Sequence, residues 1–336
     1  MRFPALHRFL LPFAAALALA ACHHQNAAET SGGSTPEAAV QESAQLIRDG
    51  DFNGFWKHAL PPADYATMRA DWSELRPADR PISPADRARF EQAMRQLTAP
   101  DAEKTLYAEL KPKLQQMEKQ YKDQMPVMIG IGQAIAGTAI AQSKTLSEGQ
   151  KKQANDVLAT LLPWAQQAPW FDQDKARQAV DALVATARQL DLKTPDELRT
   201  LGFDDAMKKY GEAFGGLKKL LAIYGLSIDD TLDSVKATTV SVEHGQAHVQ
   251  IAYTLLGKPL TADAQMMLDH GRWYDAALVR SVRQAHERAQ QSRAAAAASA
   301  AAPAHAASIA PAAGSSAAAP ASAGSVRAPA KAPAQH

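Results

Sequence analysis

The sequence predicts an α+β fold, a mostly helical body with a C-terminal antiparallel β-meander. Three observations carry this. Helix starts recur as Ser or Thr, then Pro, then an acid: Ser34-Thr35-Pro36-Glu37, Ser83-Pro84-Ala85-Asp86 and Thr194-Pro195-Asp196-Glu197. The hydroxyl caps free amides, proline suits the first turn, and the acid meets the positive helix end. Apolar residues then recur at three- and four-residue steps through most of residues 36–224, the period of an amphipathic helix. After that the period drops to two, that of a strand with one buried face.

The first 35 residues stand apart from this pattern. Residues 1–8 hold Arg2 and Arg8 and no acid, and residues 9–21 are uncharged and mostly apolar. This is the order of a secretory signal, positive end first. The run reaches only about 20 Å as a helix, short of the roughly 20 apolar residues that span a bilayer, so it reads as an export signal. It closes on Leu19-Ala20-Ala21-Cys22, which resembles the lipobox of bacterial lipoproteins. The resemblance implies cleavage between Ala21 and Cys22, a thioether-linked diacylglycerol on Cys22 and often a third acyl chain on the new amino group. Two or three chains hold a protein where one binds only reversibly. Cys22 is the only cysteine, so it has no internal disulfide partner. In Gram-negative members of that family an Asp after the cysteine favours the inner membrane. His23 stands there, so the resemblance implies the inner leaflet of the outer membrane, facing the periplasm. His23 and His24 lack the further ligands of a stable metal site. The polar stretch to residue 34 reads as a flexible tether.

In the body, the first helix covers about 36–49 and stops at Gly50. Phe52, Phe55 and Trp56 pack down after it, and Tyr65, Met68 and Trp72 mark a second short helix. A Pro-rich loop leads to a helix over 84–98 with Phe90, Met94 and Leu97 inward. The helix over about 101–125 carries the stripe Leu106, Leu110, Leu114, Met117 and Tyr121, with Pro112 inside it. Residues 124–143 hold no charge. Three readings compete for them: a membrane span, weakened by Gln133, Thr138 and the glycines; a membrane-inserting hairpin; and a central buried helix, in which Gly130, Gly132 and Gly137 allow close contact. The buried helix is the expectation, because a helix apolar all round is commonly an interior one. Residues 147–162 and 172–190 continue the helical period. Trp164 and Trp170 beside prolines read as the seal of a helix corner. Met207, Tyr210, Phe214, Leu217 and Leu221 mark the last long helix, ended by Gly225.

Val240 and Val242, then Val249, Ile251, Tyr253 and Leu255, alternate with polar residues, and turns fall at His244-Gly245 and Asp269-His270-Gly271. About four strands result, with one face packed on helices, since an isolated meander is marginal. The tail is Ala-, Pro-, Ser- and Gly-rich, with no aromatic residue and no acid. It has little to bury and is expected to be disordered. The expected division is a signal over 1–21, a lipidated tether over 22–34, a helical region over 35–230, the meander and a terminal helix packed on it over 231–292, and the tail over 293–336.

Gly50-Asp51-Phe52 and Gly271-Arg272-Trp273-Tyr274 resemble motifs of envelope lipoproteins with a cystatin-like or ketosteroid-isomerase-like cone. There an early helix and a GDF-type turn pack into a curved sheet that closes with such a strand. In this chain about 150 helical residues lie between the two motifs, and no position matches an active-site motif of those families.

Charge and chemistry narrow the function. The chain holds 36 basic and 35 acidic residues, and four of the basic ones lie in residues 1–21 and 294–336. The body is therefore slightly acidic, which argues against nucleic acid as partner. No phosphate-binding glycine loop, HExxH, GxSxG or paired-cysteine motif occurs. His244, His248 and His270 near the turns read as solvated. Asp64, Asp71 and Glu74 beside Trp72 have the chemistry of a sugar site but read as a helix surface, and Asp229, Asp230 and Asp233 as a solvated loop. No catalytic residue, cofactor or metal is assigned. The expectation is a non-enzymatic, membrane-anchored protein that binds or supports a protein or other partner in the envelope. The alternatives are a small-ligand binder with a cone-like pocket and an inhibitor or immunity lipoprotein against a cell-wall hydrolase.

Overall fold

The computed structural model describes residues 31–72 and 82–301. The expectations for Ala21 and Cys22, for the signal and most of the tether, for the loop over 73–81 and for the chain beyond 301 fall outside the described residues. Contacts divide the chain after Ser292 into two units, and the packed elements belong to the first.

The fold is α+β. It opens with α1 (Pro36–Asp49), α2 (Phe52–Ala59) and α3 (Pro62–Ala70). Thr35 caps α1 as the Ser/Thr-Pro pattern predicts, its hydroxyl accepting the Ala38 N–H at 3.1 Å. Gly50 ends that helix in the left-handed region, at φ 73°. Asp51 then opens α2 by accepting the Gly54 N–H at 2.7 Å. The helical middle is α4 (Pro84–Thr98), α5 (Ala102–Tyr121), α6 (Met125–Gln142), α7 (Glu148–Gln167), α8 (Gln173–Leu190), the four-residue α9 (Glu197–Thr200), α10 (Phe203–Ile223) and α11 (Ile228–Asp233). Ser83 caps α4, and Ser147 opens α7 with a reciprocal capping box to Gln150.

The meander comes next as β1 (Lys236–Glu243), β2 (Gln246–Leu255), β3 (Lys258–Asp269) and β4 (Arg272–Asp275), in the spatial order β1-β2-β3-β4 and antiparallel throughout. Each hairpin turns on two residues with positive φ: His244-Gly245, Leu256-Gly257 and His270-Gly271. That is the type I′ turn, whose twist matches the strands it joins. The first and third are legible as His-Gly pairs. The second is not, because leucine is a poor sign of a left-handed residue. The last helix, α12 (Ala276–Ala301), begins directly after β4. It passes residue 293, where the sequence places the start of the tail.

One core joins the two ends of the body. α1 lies against β1, β2 and β4, and α11 against β2. Alternate residues Ala247, Val249, Ile251, Tyr253 and Leu255 of β2 are buried. They meet Val40, Ala44 and Ile47 of α1, Leu232 of α11 and Val279 of α12 in a single cluster. Each large apolar side chain among them contributes about 1.5–3 kcal/mol by leaving water. The inner face of the sheet is thus filled by its own helices. A smaller cluster joins α4, α5 and α8 through Ala102, Val180 and Val184, with Leu97, Leu106 and Leu110 against it. Arg188 of α8 ties it to α5 by donating to both carboxylate oxygens of Glu103, at 2.5 and 3.0 Å.

Five expectations are corrected. α6 is not a buried central helix: none of its residues is buried, and a Cβ on Gly130, Gly132 or Gly137 would meet nothing within 4 Å. It packs on α7 alone among its close contacts. The absence of charge marks an exposed apolar helix as readily as a buried one. Second, Met117, Tyr210 and Leu217 stand exposed within their stripes, where neighbouring helices do not cover them. Third, Phe90, Met94 and Leu97 form the inner stripe of α4, yet none of them is fully buried. Fourth, residues 31–34, read as tether, are docked on the body. Fifth, Val240 and Val242, read as part of the alternation with one buried face, stand more than half exposed.

Candidate functional site

The docked segment is held by the last strand of the meander. Gly33 and Trp273 exchange both backbone hydrogen bonds, at 3.0 and 2.9 Å. The Gly32 N–H donates to the His58 carbonyl at 2.8 Å. The Ser31 hydroxyl donates to the Leu60 carbonyl at 2.7 Å and lies 3.0 Å from the Tyr274 hydroxyl. Arg272 donates from Nε to the Ser31 carbonyl at 3.0 Å and from Nη2 to that of Gly32. Three residues of the Gly271-Arg272-Trp273-Tyr274 motif therefore hold the start of the body. A Cβ on Gly33 would overlap Ala39, so only glycine passes under α1 there. The sequence signal for this docking is the Gly32-Gly33 pair, which also fits a flexible tether.

A groove of about 530 Å³ lies where the α1–α2 corner meets α10, lined among others by Asp51, Asn53, Asp204, Gly211, Glu212 and Lys219. It contains the Gly50-Asp51-Phe52 motif. The helices meet there because Gly211 has no side chain: a Cβ would overlap the Gly50 carbonyl oxygen. Phe52 packs edge-on to Phe214 with ring centres 5.5 Å apart. The groove's acids already have partners. Asp51 caps α2. Asp204 accepts two hydrogen bonds from Arg69, at 2.6 and 2.7 Å. Glu212 pairs with Lys209 at 3.1 Å. The Arg69 hydrogen bonds hold the Asp204 carboxyl below its ordinary range, and the same pair holds the Arg69 guanidinium above its own.

A second polar cluster joins the end of α3 to α12. Asp71 is almost fully buried and bonds His286 Nδ1, while the other ring nitrogen of His286 meets the Gln290 amide at 2.6 Å. Arg283 donates to both oxygens of Asp64, at 3.0 and 2.7 Å. The pair Asp71–His286 has the first two members of a nucleophile-activating triad, but an amide stands where a hydroxyl or thiol would have to be. Asp64 and Asp71, which have the chemistry of sugar ligands, instead fasten α12. Nothing in the sequence links them to residues more than 200 positions away. Just before α12, burial pushes the Asp275 carboxyl up, opposed by the Leu278 and Ala277 amides that it caps.

The histidines of the turns are dispersed. His248 Nε2 lies 3.1 Å from Asp263 on the neighbouring strand, and His270 Nδ1 lies 2.6 Å from its own neighbour Asp269. No group of three metal-ligating side chains occurs among the described residues. Trp164 and Trp170 do seal a helix corner. Their indole N–H groups donate to the carbonyls of Tyr224 and Ala165, at 2.8 and 2.7 Å. Trp170 lies against the Tyr224 ring with centres 5.0 Å apart.

The remaining feature is apolar. Val127, Met128, Ile131 and Ile135 of α6 are each more than half exposed and fall on one side of the helix. Compared with family models, curated proteins and solved structures, the chain matches none.

Proposed function

We propose that the protein is a non-enzymatic, lipid-anchored envelope protein, held at the membrane through Cys22 and presenting its body to a partner in the envelope. One observation carries the reading: Leu19-Ala20-Ala21-Cys22 closes a basic and then apolar N-terminus, and its cysteine is the only one in the chain. Two features of the body support the rest. The acids and histidines of its polar clusters are engaged in caps and ion pairs rather than gathered around a reacting atom. The inner face of its sheet is filled by its own helices rather than left open as a cone, which favours an interaction protein over a pocket binder.

Intact mass of the protein purified from membranes tests the anchor. The expected mass is that of a chain beginning at Cys22 plus a diacylglyceryl group, with or without a third acyl chain. Cys22→Ala should abolish that mass increment while the circular dichroism of the protein stays unchanged. A chain that carries no such increment on Cys22 overturns the reading. In-cell crosslinking followed by affinity capture then tests the partner.

A further inference from the structure

We infer that the exposed face of α6 docks flat on a lipid bilayer, with anionic headgroups meeting the lysines at its two ends. This rests on the lipid-anchor reading for the source of the bilayer, and on the structure for the face.

The face is suited to lipid. Residues 124–143 carry no charge, and Val127, Met128, Ile131 and Ile135 point away from α7. Half-buried Ile129, Gln133, Ala136 and Ile140 take the opposite side. The flanks are basic: residues 111–156 hold seven lysines against four acids, in a body that is otherwise slightly acidic. Lys122, which pairs with Glu118 at 3.1 Å, and Asp123 precede the uncharged run, and Lys144 follows it. An apolar helix with basic residues at its margins is attracted to anionic lipid and sinks to the headgroup–acyl boundary.

The geometry sets the mode. α6 is about 27 Å long, nearly enough to cross a bilayer. It is paired with α7, which carries Lys151 and Lys152 and packs on β3. Crossing would strip α6 from its partner or drag those charges into hydrocarbon, so the helix lies in the plane. The chain outside the described residues argues for the bilayer. Ser31 is fixed to β4, and nine residue steps back to Cys22 span at most about 30 Å. A lipid on Cys22 thus keeps the body beside a membrane surface.

The test uses the full chain. Ile131→Cys changes an exposed residue and leaves one free thiol if Cys22 is lipidated. The membrane-purified protein is reconstituted in vesicles of phosphatidylethanolamine and phosphatidylglycerol and labelled with a nitroxide. Accessibility to oxygen is compared with accessibility to a water-soluble nickel chelate. The expected oxygen-to-nickel ratio is several-fold above that of a label at His270→Cys, and it returns to the His270 level when Ile135→Asp is added. A ratio equal to that of the His270 label overturns the inference. So does shielding from both reagents, the mark of a second copy or another protein on this face. Uptake of label by the unmutated chain reports a free Cys22 and overturns the anchor reading alone. The Cys22→Ser/Ile131→Cys protein mixed with the same vesicles then decides the α6 inference by the same ratio.

Discussion

Single atoms set the tolerances of this fold. At Gly211 one added methyl group would strike the Gly50 carbonyl. Two backbones meet there and neither has a flexible end to move. Gly211→Ala is expected to cost about 2–3 kcal/mol, read as a lower midpoint in chemical denaturation. His270 sits at φ 48° with its ring in solvent. His270→Asn should raise stability by about 0.5 kcal/mol, because asparagine tolerates that region better. The pair Arg69–Asp204 gives a pH dependence whose sign is fixed. Asp204 titrates below its unfolded value, so its contribution is present above the ordinary carboxylate range. It is lost as pH falls through the depressed folded value. Arg69→Met should therefore be less stable than the parent at neutral pH, and the gap should narrow on acidification. A gap that widens would mean that another group governs the acid response. At this scale the sequence is legible where a residue type has one dominant use, as with the Thr35 and Ser83 caps. It is silent where partners lie far apart in the chain, as with Asp71 and His286.

The elements differ in how much they announce themselves. Strand β2 is plain in the sequence because one face meets helices and the other water, and burial alternates accordingly. α1 and α8 are equally plain, each with one buried stripe. α6 misleads because composition reports that a helix is apolar, not what stands beside it. α12 gives no warning of its polar fastening. Its hold on Asp71 can be measured by a double-mutant cycle. His286→Ala is expected to cost about 1–3 kcal/mol by leaving the buried Asp71 carboxylate short of a partner. Asp71→Ala should cost a similar amount, and the double variant less than the sum. Strict additivity would show that the two side chains do not support each other.

Across the whole molecule, residues 39–72 and 201–282 share one core, while much of the chain between them builds a helical annex on α8. In the sequence that closure shows only as a resemblance carried by two short motifs. Its physical basis is that α1 lies against three of the four strands and supplies their apolar cover. The docked segment Ser31–Gly33 has a consequence for any attachment at Cys22. With the leash limited to about 30 Å, the body explores only a small hemisphere of space above the lipid. Its effective concentration at the surface is on the order of tens of millimolar. A contact too weak to detect between free molecules, with a dissociation constant of about a millimolar, would then be occupied nearly all the time. Lengthening the leash by inserting residues before Ser31 would weaken that contact without altering a single side chain that makes it.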